Sequence, residues 1–253
     1  MIWRPGIGAR LARLAGAPIE RLIGFLPARA PSMARAAAGR AVHAALRLSL
    51  KTLAFRDAHA PGMPPPPSNG WHKAAGAFSG AVGGAFGFGA LAIELPVSTT
   101  IMMRSIADVA RSEGADLADR RIQLECVMVL GLGGRPGAEA PEFGYFAVRE
   151  AAARAVSSAS AHAARHGLAK NGAPALVRLI ALIADRYGVN VTQKIAAQAM
   201  PMIGAAGGAA INLIFIDHFQ AMARGHFTLR RLERKYGEAV VRTMFDELAA
   251  RPG

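Results

Sequence analysis

Three ionisable side chains stand beside uncharged stretches of this sequence, where a desolvated acid or base could transfer protons. Glu94 closes one such stretch, and the neighbours Asp217 and His218 follow another. Carboxylate and imidazole groups are the side chains that general acid–base catalysis uses most often. The sequence therefore offers one catalytic hypothesis, a membrane-associated hydrolase that uses Glu94, Asp217 and His218.

Other patterns that look catalytic lack the context that their chemistry requires. In GAFSG, Ser79 comes one place too late for a GxSxG nucleophile elbow, and no predicted strand precedes it. His162 and His166 share a helix face but lack the glutamate of HExxH zinc proteases. GFGALA, residues 87–92, matches a dinucleotide-binding fingerprint in letters, but that site requires a strand before the glycines and the predicted context here is helical. Cys126, the single cysteine, is typical of a buried packing thiol. The sequence predicts no metal and no cofactor, and it favours a non-enzymatic protein.

The polar residues near the uncharged stretches also have a structural interpretation. Arg104 follows Glu94 by ten residues and lies in an apolar cluster, where a lone charge would be costly. A Glu94–Arg104 ion pair would remove that cost, and Asn212 could hydrogen-bond between helices. The sharper alternative is that Glu94, Arg104 and Asn212 form a polar cluster in a pocket for a lipid head group or substrate.

Two glycine-rich, uncharged stretches must position these residues, and they span residues 74–93 and 195–216. Glycines at three- and four-residue steps give a helix a nearly bare face, as in a glycine zipper, which permits close helix–helix approach. These helix-packing glycines are Gly76, Gly80, Gly83, Gly84 and Gly87 in the first stretch and Gly204, Gly207 and Gly208 in the second. Twenty helical residues are long enough to cross a bilayer core, so spanning, soluble packing and switching all stay open.

The composition predicts an all-α fold. Alanine and glycine are plentiful, whereas the chain has only 3 Tyr and 2 Trp, a balance that favours helix over strand. We expect the first stretch to end at Glu94, and Pro96 to begin the next helix, which runs to about Ser112. The prediction is a helical bundle with two glycine-rich hydrophobic helical hairpins.

The formal charge of +13 is concentrated near the N-terminus, where residues 1–56 contain ten Arg or Lys and one acidic residue. We predict a basic amphipathic arm over residues 1–60, a proline-rich linker over 61–70 and a helical domain over 71–250. Ser32 could cap a long helix in the arm. That helix could lie on anionic lipid or pack on the bundle, and nucleic acid is a less favoured partner. The N-terminus lacks a secretory signal and superficially resembles a mitochondrial transit peptide.

Two blocks of the sequence resemble the EcsC family. Residues 73–116 combine a small-residue run, an acidic residue near a proline and an Arg-containing helix, and residues 201–237 combine proline, glycines, asparagine and a terminal helix. Together they cover roughly residues 70–240. Glu94 stands where the family pattern has Asp, and Glu113 stands where it has Tyr.

The resemblance implies a bacterial protein, associated peripherally or integrally with the cytoplasmic side of the inner membrane. The family takes its name from an operon that also encodes an ABC transporter. We therefore expect a non-enzymatic accessory protein that binds anionic membrane lipids or assists a transporter or secretion system. The sequence indicates no oligomeric state.

Overall fold

The computed structural model describes residues 6–53, 67–86, 91–132, 141–166, 174–199 and 204–249. All regular secondary structure in these ranges is helical, which confirms the all-α prediction. In chain order the helices are α1 (Ile7–Ala15), α2 (Ile19–Gly24), α3 (Ala30–Leu53), α4 (Asn69–Phe86), α5 (Leu91–Ser112), α6 (Arg120–Leu132), α7 (Pro141–His166), α8 (Pro174–Gln198), α9 (Ala205–Tyr236) and α10 (Glu238–Ala249).

Helices α5, α8 and α9 form the centre of the bundle, and α3, α4 and α6 pack around them. Apolar residues recur at helical spacing on their facing sides, so each helix buries a stripe. Met102 and Ile106 of α5 are buried in this core, as are the aromatic residues Tyr187 of α8 and Phe219 of α9. The rings of Tyr187 and Phe219 meet edge to face, with centroids 5.7 Å apart.

The helices of the predicted arm contribute to the same core. Helix α3 packs against α5 and α8 through a narrow alanine face, Ala34, Ala38, Ala41 and Ala45, all buried. Val42 and Leu46 are buried as well, so this face packs on the bundle and does not lie on lipid. Ser32 lies inside the first turn and donates to the carbonyl of Arg29 (2.8 Å), so the predicted cap is wrong. The division into arm, linker and domain stays a prediction; residues 54–66 lie outside the described ranges.

The predicted helix boundary at Glu94 and Pro96 is wrong. Helix α4 ends at Phe86 and α5 begins at Leu91, so Glu94 lies inside a helix and Pro96 is its sixth residue. A proline this near a helix start removes one backbone hydrogen bond, which the first turns of a helix tolerate better than its middle. The second stretch is divided in the same way, because α8 ends at Gln198 and α9 begins at Ala205. No helix within the described ranges is long and apolar enough to cross a membrane.

Helices α4 and α9 approach each other closely at their glycines. A Cβ atom on Gly80 would overlap the carbonyl oxygen of Gly208 and lie 2.8 Å from Cβ of Asn212. On Gly84 it would lie 2.7 Å from the carbonyl oxygen of Gly204. Side chains at these positions would force the two backbones apart. Gly207 is half-buried on α9, and Gly87 lies outside the described residues.

Substitution of Gly80 by alanine tests this contact. We expect Gly80→Ala to lower the free energy of unfolding by about 1–3 kcal/mol, because the added methyl group overpacks the α4–α9 contact. Gly70→Ala is the matched control on the same helix, since a Cβ there meets nothing within 4 Å. The control should be neutral or stabilising, because alanine is the better helix former. Urea denaturation measures both, and equal stabilities would contradict the packing.

Candidate functional site

A buried ion pair between Glu94 and Lys194 lies at the centre of the bundle. The Nζ atom of Lys194 lies 2.8 and 2.9 Å from the two carboxylate oxygens of Glu94 and 3.5 Å from Oγ of Ser98. Both charged residues are almost fully excluded from solvent, since Lys194 is 0% and Glu94 is 5% exposed. The lysine is held inward because it continues the buried stripe of Tyr187 and Val191 along α8.

Asn212 of α9 completes this polar centre. Its Nδ2 donates to Oε1 of Glu94 (2.8 Å) and to the carbonyl oxygen of Gly76 (3.0 Å). A Cβ atom on Gly83 would lie 2.6 Å from Cγ of Glu94, so the bare backbone there makes room for the carboxylate. The cluster of Glu94, Lys194 and Asn212 therefore connects α4, α5, α8 and α9.

The electrostatics of the cluster favour a structural ion pair. Burial lowers the pKa of Lys194 below its ordinary value, and the charge and hydrogen bonds of Glu94 oppose that effect. The ammonium group also lies 5.5 Å from the centre of the Phe215 ring, within cation–π range. Each charge is compensated by direct partners, as a buried pair requires.

An apolar groove of about 990 Å³ opens on the outer side of this cluster, between α4 and α5. Glu94 and Ser79 are its polar lining residues. Its walls are apolar side chains, Trp71, Phe78, Val82, Ile93, Val97 and Ile101. Trp71, Phe78 and Ile93 are each at least 73% exposed. Large exposed apolar patches of this kind usually mark a binding surface. This α4–α5 groove is therefore lined almost entirely by apolar side chains.

The predicted Glu94–Arg104 pair is wrong. Both residues belong to α5, and ten helical residues separate their Cα atoms by about 15 Å. Glu94 turns inward to Lys194, whereas Arg104 is exposed. Lys194 was missed as a site residue. The one available signal was its helical spacing, because it follows Tyr187 and Val191 on one face of α8.

The residues of the hydrolase hypothesis bind different partners. Asp217 forms ion pairs with Arg10 (3.1 Å) and Lys73 (2.5 Å). Glu94 instead binds Lys194 and Asn212. Burial and the nearby charge of Arg10 lower the pKa of His218 to about 4. Its Nε2 is buried and accepts no hydrogen bond from the described part of the chain. In the described part of the chain, the partners of Glu94 are therefore different from those of Asp217.

A second buried charge cluster, which the sequence did not reveal, joins α6, α7 and α9 beside a cavity of about 330 Å³. Arg149 donates to both carboxylate oxygens of Glu233, each at 2.6 Å. Arg230 holds Glu125 through Nε and Nη2, at 3.2 and 3.0 Å. Burial would raise the pKa of Glu125, but the nearby His226, whose Nε2 lies 3.7 Å from Oε2 of Glu125, and the charge of Arg230 lower it below its usual range. Bidentate pairs of this kind fix the relative positions of helices.

The family model of the EcsC protein family matches residues 9–232 of this chain. The chain belongs to the EcsC family. The EcsC match extends from α1 into the last turns of α9 and so contains the whole cluster of Glu94, Lys194 and Asn212. No curated protein and no solved structure matches the chain significantly. Among the described residues, no three His, Cys, Asp or Glu side chains are grouped to hold a metal ion.

Removal of Lys194 from this EcsC protein tests the ion pair. Lys194→Met should cost about 3–5 kcal/mol in free energy of unfolding, because it leaves the Glu94 carboxylate buried without its counter-charge. The double variant Glu94→Gln/Lys194→Met should lose less than the sum of the single variants, because the charges interact directly. Lys73→Met is the control; its pair with Asp217 is partly exposed, and it should cost at most about 1 kcal/mol. Additive single effects would contradict the pairing.

The buried histidines predict a dependence of stability on pH. The pKa of His218 falls from 6.5 to about 4 on folding, and burial also lowers the pKa of His226. Between these pH values the unfolded chain binds more protons than the folded one, so the free energy of unfolding must decrease as the pH falls from 6.5 to 4. His218→Gln should flatten this decrease, as measured by urea denaturation across that window. An unchanged slope would contradict the buried, neutral state of His218.

Proposed function

We propose that this EcsC protein is a non-enzymatic, membrane-associated accessory protein that binds anionic lipid through the α4–α5 groove. The observation that carries the proposal is the orientation of α4 and α5. These helices direct Glu94 and the glycines inward and expose Phe78 and Ile93, the reverse of an ordinary surface helix. Transfer of each of these side chains out of water is worth about 1.5–3 kcal/mol.

Exposed basic residues support an anionic partner. The first three helices and the connection between α2 and α3 carry exposed arginines, namely Arg13, Arg21, Arg29 and Arg40. Each such cation near an anionic bilayer contributes about 1 kcal/mol of attraction. The formal charge of +13 also favours an anionic surface for the molecule as a whole. Phe25, between Arg21 and Arg29, is 80% exposed and adds an apolar contact. Apolar insertion and electrostatic attraction together are the usual means of peripheral membrane binding.

The proposal extends to a cellular setting. We place the protein at the cytoplasmic face of a bacterial inner membrane, where it could present itself to a transporter or a secretion component. Lipid binding comes first in this scheme, because the groove and the basic surface provide chemistry for it. Within the described residues Glu94 and Asp217 are neutralised by different cations, which argues against the hydrolase alternative.

Vesicle co-sedimentation tests the proposal. Phe78→Ser/Ile93→Ser should weaken binding to vesicles of phosphatidylglycerol and phosphatidylethanolamine by at least about ten-fold, because two large side chains no longer leave water. Val177→Ser/Met244→Ser removes two apolar side chains that are each 53% exposed elsewhere on the surface. That control should bind like the unaltered protein. Equal loss in both double variants, or no vesicle binding by the unaltered protein at physiological salt, would contradict the proposal.

A further inference from the structure

Helix α1 is amphipathic and basic. Ile7, Leu11 and Leu14 recur at four- and three-residue steps, so they lie on one face of the helix. Ile7 and Leu11 are 3% and 0% exposed, because this face packs on the bundle. The charged residues of α1 are Arg10 and Arg13, and the helix contains no acidic residue. An apolar face beside arginines is typical of helices that lie in the interface of an anionic bilayer.

The surface beneath α1 is partly polar. Helix α1 packs on α8 and α9, and a Cβ atom on Gly8 would lie 3.1 Å from Nε2 of Gln193. The Oε1 atom of Gln193 is buried and accepts no hydrogen bond from the described part of the chain. The Nε2 atom of His218, whose ring lies near Arg10, is in the same state. Buried polar atoms of this kind have lost water without a replacement partner, which is unfavourable.

The polar contacts of α1 with the bundle can be broken without leaving a charge unpaired. Arg10 donates to Oδ2 of Asp217 (3.1 Å) and to the carbonyl oxygen of Ile214 (3.4 Å). The side chains of Arg10 and Asp217 are 20% and 26% exposed, so this pair is in contact with water. Asp217 would keep its second partner, Lys73. Departure of α1 therefore avoids the large cost of a lone buried charge.

The connection from α1 to α2 provides a pivot. Helix α1 ends at Gly16, which has a φ of 67° and so lies in the left-handed region. Glycine changes its backbone angles at little steric cost. Helix α2 has its own buried residues, Ile19 and Leu22, and packs on α8. Rotation at Gly16 can therefore move α1 while α2 stays on the bundle.

We infer that α1 leaves the bundle by rotation at Gly16 and lies on the anionic bilayer when the protein binds lipid. In water the departure would expose Ile7 and Leu11, which keeps α1 on the bundle. At a bilayer the same side chains leave water again and the arginines are attracted to the anionic head groups. Water then reaches Gln193 and His218. The inference rests on the proposed lipid-binding function and adds a second membrane-binding element to the groove.

Distances between spin labels test the movement. Ala9→Cys and Arg178→Cys place labels at exposed positions on α1 and α8, whereas Cys126, the native cysteine, is fully buried. Electron–electron double resonance should give a longer and broader distance when vesicles of phosphatidylglycerol and phosphatidylethanolamine are added. The control pair is Ala36→Cys with Arg178→Cys, at exposed positions on α3 and α8. These two helices pack together, so their distance should not change.

Gln193→Leu tests the polar surface beneath α1. It replaces the amide with an apolar side chain of similar size, so α1 should be held more tightly on the bundle. Apparent affinity falls in proportion to the population of the binding-competent state, and we expect vesicle binding to weaken by up to about ten-fold. Thr192→Val is the matched control, because its buried hydroxyl bonds the carbonyl of Gly188 within α8 (2.8 Å). This control should bind vesicles like the parent protein.

The outcomes separate this inference from the proposed function. If the parent protein binds vesicles while the α1–α8 distance stays unchanged, the inference is overturned and the proposed function stands. A change in both labelled pairs would mean that the bundle itself opens, which also overturns it. Vesicle binding by Gln193→Leu equal to that of the parent protein would contradict the role of the polar surface. If the parent protein binds no vesicles at physiological salt, both proposals fail.

Discussion

The rest of the structure depends on the buried pair of Glu94 and Lys194. Removing two such charges from water costs several kcal/mol each, and their attraction repays this only with close geometry and further hydrogen bonds. Asn212 supplies one such bond and connects the pair to the backbone of Gly76. The carboxylate needs the space left by Gly83. The glycines are therefore best explained by the polar centre that they enclose, as well as by the close approach of α4 and α9.

The same constraint determines the surface. Helices α4 and α5 satisfy their polar groups inside the bundle, so their large apolar side chains are left on the outside around the groove. The polar centre and the glycine contacts with α9 fix α4 and α5 in this orientation, with their large apolar side chains toward the surface. Among the described helices, none is long and apolar enough to cross a membrane. Stability and proposed lipid binding thus have one physical origin.

Much of this arrangement could be predicted from sequence, and the failures have physical reasons. Alanine-rich helical periodicity and the glycine spacing predicted an all-α bundle, and Glu94 and Asn212 stood out in the sequence as polar residues near apolar stretches. The partner of Glu94 was not predictable, because Lys194 is 100 residues away in sequence and local spacing cannot show which helices meet. Arg104 was chosen because it was near in sequence. The boundary at Glu94 and Pro96 failed because a proline was taken as a helix start, whereas α5 begins at Leu91 and tolerates Pro96 in its second turn.

The central claim is that the polar centre holds α4 and α5 with their apolar side outward for lipid. Hydrogen–deuterium exchange of the whole protein, with and without phosphatidylglycerol vesicles, tests it most directly. The account predicts that lipid slows amide exchange in α4 and α5, with the largest change along the groove, and leaves α6 and α10 unchanged. Protection confined to other helices, with exchange in α4 and α5 unaltered while the protein is bound, would contradict it.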